Sequence, residues 1–284
     1  MLFIRFPSIT VTISIFLCIM SANAQPHRII TLGGAITETV AALGLEDRIV
    51  AVDVTSEYPE SIKKLPKVSK NRSVSAEGLM AFRPDLVLAP YGDVPYSVVQ
   101  ALKGAGIPFV AIKQDFSARG ALAFIRDVGK ALGMKDQASQ LATETERRIE
   151  EVLQTVEASD KRPTVLFIYA RGTGTMTVAG KGSNMDALIR LAGGRNAIRE
   201  FNAFKTYTTE ALVHANPDII LLFDFGMESL GGRKGVLGMP GVAFTNAGKH
   251  QRIVALDGPL MISFSTRLDE AILRVHQEFI KTRE

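Results

Sequence analysis

Short apolar runs alternate with amphipathic segments along most of the chain, and glycine or proline separates many of them. Such runs are typical of parallel strands, because both faces of these strands are covered by helices. The amphipathic segments repeat their apolar residues every three or four positions, as helices packed on a sheet do. The alternation predicts an α/β fold with mostly parallel sheets. The predicted strands are 28–32, 49–52, 86–88, 109–112, 165–169, 175–179, 219–221 and 252–256.

One sequence unit occurs twice, at 75–88 and at 208–221. In both copies a serine or threonine stands two residues before a glutamate, and Pro-Asp and an apolar run follow. The hydroxyl residue is suited to cap a short helix whose first turn holds Glu77 or Glu210, where the helix dipole favours a negative charge. The proline ends the helix, and the apolar run forms a buried strand. Two copies of the unit predict two lobes of similar construction.

Residues 117–159 interrupt this alternation with helical signals alone. Apolar residues recur with a period near 3.6 from Met134 to Val156, and charged residues occupy the opposite side. About 24 residues at 1.5 Å each span roughly 36 Å, which is close to the width of a small domain. This pattern predicts one long helix at 132–159 that joins an N-terminal lobe at 25–131 to a C-terminal lobe at 160–284. A surface helix packed on a single domain is the alternative.

The N-terminal residues have the pattern of a secretion signal. Arg5 precedes an apolar run at 9–20, and Ala22-Asn23-Ala24 follows it as a small-residue cleavage site. The run is too short to cross a bilayer comfortably, which favours a cleaved signal at 1–24 over a retained anchor. The single cysteine, Cys18, lies inside this segment, so we expect a periplasmic mature protein without disulfides.

Composition and motifs limit the possible functions. A chain of 284 residues that is 46% hydrophobic is long enough to bury two cores. The net charge of +4 is modest and not clustered, so no nucleic-acid partner is expected. The glycines at 172 and 174 lack the third glycine of a dinucleotide fingerprint, and no nucleophile elbow or paired zinc-binding histidines occur. The four histidines lack ligand spacing and are expected at the surface or at helix ends. They are His27, His214, His250 and His276.

The chain resembles the periplasmic binding proteins that supply ABC importers for haem, cobalamin and iron chelates. The resemblance is carried by Arg-Ile-Ile-Thr-Leu at 28–32, Ser-Ala-Glu-Gly-Leu at 75–79, Arg-Pro-Asp-Leu-Val-Leu at 83–88 and the long helix. Val-Ala-Gly at 178–180 and the stretch 186–197, which contains Leu-Ala-Gly-Gly, are most similar to haem (hemin) carriers. The resemblance implies two Rossmann-like lobes with mostly parallel sheets, bridged by one helix, and a ligand bound in the cleft between them.

The resemblance also assigns roles to the repeated glutamates. In this family each lobe presents one surface glutamate that pairs with arginines of the inner-membrane permease, and Glu77 and Glu210 match those positions. Two equivalent carboxylates suit a partner with twofold symmetry, and exposed pairs of this kind set the register of docking. The alternative is that both glutamates serve only the dipole of their own helix.

The expected haem ligands differ from the family pattern. Lys70 occupies the position where haem carriers of this type have a tyrosine, and Arg171 replaces a second-lobe histidine. Tyr91 follows the carboxyl end of a predicted strand, where open α/β sheets bind ligands, and is the predicted axial ligand of the iron. Tyr58 and Tyr169 are the alternatives. The predicted ligand-binding residues are Lys70, Arg72, Tyr91, Tyr169 and Arg171.

Taken together, these features predict a substrate-binding component of an ABC transporter that carries haem as cargo, without catalysis. The long helix would act as a stiff hinge, so the lobes should close only slightly around the ligand. The predicted partners are haem or a related iron chelate, the ABC permease and an outer-membrane receptor system. A ferric siderophore or cobalamin as cargo is the first alternative. An exported α/β enzyme or a sensor domain is the second.

Overall fold

The computed structural model describes residues 25–68, 73–172, 176–206 and 208–281. The predicted signal segment, Lys70 and Arg72 lie outside these ranges. The strands are β1 Ile29–Thr31, β2 Ile49–Val52, β3 Leu86–Pro90, β4 Phe109–Ile112, β5 Thr164–Ala170, β6 Met176–Ala179, β7 Arg195–Asn196, β8 Phe204–Thr206, β9 Ile219–Phe223 and β10 Ile253–Leu256. The α-helices are α1 Gly34–Ala42, α2 Ala76–Met80, α3 Tyr96–Gly104, α4 Ala118–Ala131, α5 Lys135–Glu157, α6 Asn184–Leu191, α7 Thr209–Ala215, α8 Asp224–Ser229, α9 Gly232–Leu237, α10 Asn246–Lys249, α11 Gly258–Ile262 and α12 Leu268–Ile280.

The strands form two separate sheets. The first has the order β2-β1-β3-β4 and is parallel throughout. The second has the order β10-β9-β5-β6-β8, with β7 also paired to β5; β6 and β8 are antiparallel to their neighbours. The predicted α/β class with mostly parallel sheets is confirmed. Strands β7 and β8 were not predicted, because β7 has two residues and β8 is an exposed edge without an apolar run.

The repeated unit has the same local structure in both copies. The hydroxyls of Ser75 and Thr208 accept hydrogen bonds from backbone N–H groups at the start of α2 and α7. A residue with positive φ then stands directly before each proline. The following aspartates, Asp85 and Asp218, accept hydrogen bonds from backbone N–H groups at the start of β1 and β5. These carboxylates therefore tie each unit to a neighbouring strand, and β3 and β9 occupy corresponding places in the two sheets.

Apolar side chains cover both faces of each sheet. In the first sheet, Ile29 and Leu88 face α1 and α4, whereas Ile30 and Val87 face α2 and α3. The second sheet packs against α5, α6, α11 and α12 on one face and α7 to α10 on the other. We refer to the first sheet with α1 to α3 as the first lobe, and to the second sheet with α6 to α12 as the second lobe.

Helices α4 and α5 lie side by side and contribute to both lobes. The start of α5 contributes Ala138 to the first core, and its later turns contribute Ala142, Ile149 and Val156 to the second. Helix α4 does the same, because Phe124 belongs to the first core and its neighbour Ile125 to the second. The long helix is confirmed, and α4, which lies along it, also contributes to both cores.

A glycine lets these two helices approach closely. A Cβ atom placed on Gly129 of α4 would lie 2.0 Å from the Cβ of Ala138 on α5. No side chain fits at that distance, so the contact requires glycine.

His276 is not at the surface, but it caps the end of α6, because Ala192 is the C-cap residue of that helix. This side chain is 2% exposed, and its Nδ1 lies 2.9 Å from the carbonyl oxygen of Ala192, inside the second lobe. His250 lies at the end of α10, and His27 and His214 are exposed, as expected. The burial of His276 could have been predicted from the sequence, because His276 shares the inner face of the amphipathic helix α12 with Ile272 and Phe279.

Candidate ligand cleft

Loops that follow the carboxyl ends of the strands meet across the two lobes. The guanidinium of Arg267 lies 3.8 Å from the ring centroid of Tyr58, which follows β2. Phe116, which follows β4, packs edge-on against Phe264 of the second lobe at 5.3 Å between centroids. These contacts place the carboxyl edges of the two sheets toward each other. Ligands of open α/β sheets bind at such edges.

Tyr91 and Lys113 form a pair at the carboxyl edge of the first sheet. Parallel pairing of β3 with β4 aligns Pro90 with Ile112, so the next residues of both strands are neighbours. The backbone N–H of Tyr91 donates to the carbonyl of Ile112 at 2.9 Å, and the Lys113 Nζ lies 5.4 Å from the Tyr91 ring centroid. The Tyr91 side chain is 68% exposed, so it is free to contact a ligand.

The sequence interpretation missed Lys113. Lys113 could have been predicted as a site residue, because it directly follows a predicted strand, in a position equivalent to that of Tyr91.

Arg171 lies among aromatic rings at the carboxyl edge of the second sheet. Its Nε donates a hydrogen bond of 2.6 Å to the phenolic oxygen of Tyr169. Its guanidinium carbon lies 4.8 Å from the ring centroid of Phe225, a cation–π distance. Tyr169 also packs edge-on against Phe223 and Phe225 at 6.1 Å each. This arrangement brings together aromatic rings, one positive charge and one phenolic oxygen.

Phe225 was not predicted as a site residue. It stands two residues beyond the end of β9, and Gly258 allows it to pack there, since a Cβ on that glycine would lie 3.0 Å from the Phe225 ring.

Buried hydroxyls hold the loop that carries Tyr58. The Oγ1 of Thr37 lies 2.7 Å from the hydroxyls of both Thr31 and Ser56. The Ser56 hydroxyl also lies 2.6 Å from a carboxylate oxygen of Asp53. This chain of hydrogen bonds fixes the turn after β2 against α1. Tyr58 follows that turn, and it is 45% exposed.

The two repeated glutamates lie in the first turn of their helices. Both side chains are exposed, Glu77 on α2 and Glu210 on α7. The pKa of Glu210 is lowered by its own backbone N–H and by the hydroxyl of Thr208, so the carboxylate is charged at neutral pH. Each lobe therefore presents one carboxylate on a short capped helix that precedes a central strand of its sheet.

The predicted site residues fall into three groups. Tyr91 lies at the edge of the first sheet, and Tyr169 and Arg171 lie together at the edge of the second. Lys70 and Arg72 lie outside the described residues.

Within the described ranges, no group of three or more histidine, cysteine, aspartate or glutamate side chains is arranged to hold a metal ion. No helix in the described part of the chain has the length and apolarity needed to cross a membrane.

The periplasmic binding protein family matches residues 29–260 of the chain. The chain belongs to this family. The Bacillus subtilis protein YvrC, an uncharacterized ABC transporter substrate-binding lipoprotein, is 29% identical over 89% of this chain and 80% of its own length. The vitamin B12-binding protein of Pectobacterium atrosepticum is 26% identical over 71% of this chain and 73% of its own length. This periplasmic binding protein is thus a substrate-binding protein of the helical-backbone ABC-transporter class.

A solved structure shows the same two-lobe fold. The periplasmic heme-binding protein RhuT from Roseiflexus sp. RS-1, in its apo form, is 35% identical to this chain and superimposes with a TM-score of 0.86. The match covers 89% of this chain and 97% of RhuT. Relatives of this family are periplasmic proteins or lipoproteins, which agrees with a location outside the cytoplasm.

Proposed function

We propose that this protein binds haem between its lobes and delivers it to the permease of an ABC importer. The arrangement of Arg171, Tyr169 and Phe225 carries the proposal. A porphyrin is flat and apolar and bears carboxylates, so it matches an aromatic surface with a fixed guanidinium. The heme-binding RhuT, which shares 35% identity and the fold, supports the same cargo.

We infer that Tyr169 is the protein ligand of the haem iron. A tyrosine binds ferric iron through its phenolate oxygen, and a guanidinium hydrogen bond stabilises the negative charge on that oxygen. Tyr169 has such a donor at 2.6 Å, whereas Tyr91 has a lysine over its ring and no hydrogen bond to its hydroxyl among the described residues. Tyr91 and Lys113 would then contact the haem from the first lobe, and Lys70 and Arg72 stay predicted ligand-binding residues.

The experiment is a hemin titration of the purified protein spanning residues 25–284, followed by absorption spectroscopy. We expect a saturable Soret change with wild-type protein and a phenolate-to-iron charge-transfer band. Tyr169→Phe should abolish that band and weaken binding at least tenfold, whereas Tyr91→Phe should keep the band. Loss of the band in Tyr91→Phe alone would identify Tyr91 as the ligand, and absence of a saturable change in wild-type protein would refute haem as cargo.

Cobalamin is the second candidate cargo, because relatives such as the Pectobacterium atrosepticum protein are vitamin B12-binding proteins. A thermal-shift series with hemin, cobalamin and a ferric siderophore separates the candidates, since only a ligand of the folded state raises the melting temperature. We expect the largest shift with hemin.

Delivery and export complete the proposal. We infer that Glu77 and Glu210 bind basic residues at equivalent positions of the two permease subunits. We also infer that the protein is exported through cleavage after Ala24, so N-terminal sequencing of the periplasmic form should begin at Gln25. The lobe boundaries 25–131 and 160–284, with the helix at 132–159, remain a prediction.

A further inference from the structure

A buried carboxylate lies where the two lobes meet. Glu38 belongs to α1 of the first lobe, and its side chain is 2% exposed. The hydroxyl of Ser263 donates to one of its oxygens at 2.6 Å, and Arg267 Nη1 lies 3.4 Å from the other. Both partners lie in the segment between α11 and α12 of the second lobe, more than 220 residues away in sequence. A carboxylate in this position serves contact between lobes, not the fold of either one.

Two further contacts accompany Glu38. The hydroxyl oxygens of Thr39 and Ser265 lie 2.5 Å apart across the same boundary and are both buried. The guanidinium of Arg267 stacks on the ring of Tyr58 at 3.8 Å and also pairs with Glu270 in the first turn of α12 at 3.1 Å. We call Glu38, Thr39 and Tyr58 of the first lobe, with Ser263, Ser265 and Arg267 of the second, the clasp.

We propose that the clasp fixes the separation of the two lobes in the ligand-free protein, with Arg267 as its central positioning residue. Its hydrogen bonds at 2.5 to 2.6 Å are lost if the donor and acceptor move apart by about 1 Å, because hydrogen bonds weaken steeply beyond about 3.5 Å. The clasp therefore has one closed geometry, and the cleft is preformed before cargo arrives.

The clasp links this geometry to cargo binding through Tyr58. Arg267 comes from the second lobe but stacks on a ring of the first, so it holds Tyr58 at a fixed place beside the cleft. This step rests on the proposed function, since it assumes that the cargo binds between the lobes. The charged groups that act electrostatically on Glu38 are Arg267, Asp257 and Glu270. Delivery to the permease requires that the clasp open.

The test measures the distance between the lobes in ligand-free protein. Because Cys18 is the only cysteine of the chain, residues 25–284 accept two introduced cysteines for nitroxide labels. Gln100→Cys on α3 and Lys234→Cys on α9 place one label at an exposed site of each lobe. Pulsed electron–electron double resonance should give one narrow distribution of distances between the two labels in the otherwise wild-type protein.

Arg267→Gln should broaden this distribution or add a longer distance, and Thr39→Val should do so independently. Arg267→Lys, which keeps the charge, should restore part of the wild-type distribution. Arg274→Gln changes an exposed arginine on α12, the helix that Arg267 precedes. It is the matched control and should leave the distribution unchanged. An unchanged distribution in both Arg267→Gln and Thr39→Val, each shown to be folded by circular dichroism, would overturn the proposal. Should Arg267→Gln fail to fold, Thr39→Val alone decides in the same way.

Hemin binding gives a second measurement. If Arg267→Gln leaves only about one tenth of the molecules in the competent geometry, the apparent Kd should rise about tenfold. An unchanged Kd would refute the link from the clasp to cargo binding. Absence of hemin binding in wild-type protein would refute haem as cargo, whereas the distance measurement, made without ligand, would still test the clasp.

Discussion

Replacing Glu38 with glutamine should change the way in which stability depends on pH. Burial raises the pKa of Glu38 from 4.5 to about 7, against the opposing effects of the Ser263 hydrogen bond and the Arg267 charge. The carboxylates of Asp257 and Glu270 raise this pKa as well. The folded protein therefore binds a proton at Glu38 more tightly than the unfolded chain does, and this difference appears as a pH-dependent free energy of unfolding.

The sign and size follow from the two pKa values of 4.5 and about 7. Below the lower value the carboxyl is neutral in both states, and the full stabilisation is present. As the pH rises toward 7, the unfolded chain has already released its proton, so unfolding becomes easier. Above the higher value both states are ionised and the contribution is lost. The shift is worth about 3 kcal/mol, at roughly 1.4 kcal/mol for each pH unit.

Urea unfolding of wild-type protein and Glu38→Gln at a series of pH values measures this contribution. Glutamine does not titrate, and effects of other groups largely cancel when the two proteins are compared at the same pH. The wild-type free energy of unfolding minus that of Glu38→Gln should fall by about 3 kcal/mol between pH 4 and pH 8. A difference that stays constant with pH would refute the reasoning.

Two further predictions concern delivery and the paired helices. Glu77→Gln combined with Glu210→Gln should leave the affinity for hemin unchanged but reduce haem-dependent growth in cells with the cognate permease. Glu146→Gln changes an exposed glutamate of α5 and is the control, so it should not reduce growth. Normal growth of the double variant would contradict docking through Glu77 and Glu210. Gly129→Ala should destabilise the protein by about 1–3 kcal/mol in urea unfolding, because the added methyl group overlaps the α5 alanine that faces it. Gly104→Ala, where the added methyl group meets nothing within 4 Å, is the control and should be neutral or slightly stabilising; equal effects at both sites would contradict the packing argument.

The sequence predicted those parts of the fold that local patterns determine. Apolar runs between helical segments marked the central strands, such as Ile219–Phe223, because full burial leaves only apolar side chains there. The hydroxyl, glutamate and Pro-Asp of each repeated unit marked α2 and α7, because capping and helix termination depend on nearby residues. The exposed edge strand Phe204–Thr206 carries no such pattern, so it was missed.

The site was predicted only in part, for a physical reason. Tyr169 lies near the end of β5 and Arg171 directly follows that strand, so their place at its end could be predicted from the strand alone. Their contact with Phe225 and the pairing of Lys113 with Tyr91 depend on which strands are neighbours. The clasp joins residues more than 200 positions apart, and no local periodicity encodes such a contact.

The helices α4 and α5 have a consequence for how this protein can be divided. Since both contribute side chains to both cores, neither half keeps an intact interior when the chain is cut on either side of them. Exchange of one half between relatives would therefore preserve packing only if this helical pair, with Gly129 facing Ala138, were exchanged as a unit. New cargo specificities in this family should accordingly arise through changes in the loops after the strands more readily than through recombination of whole halves.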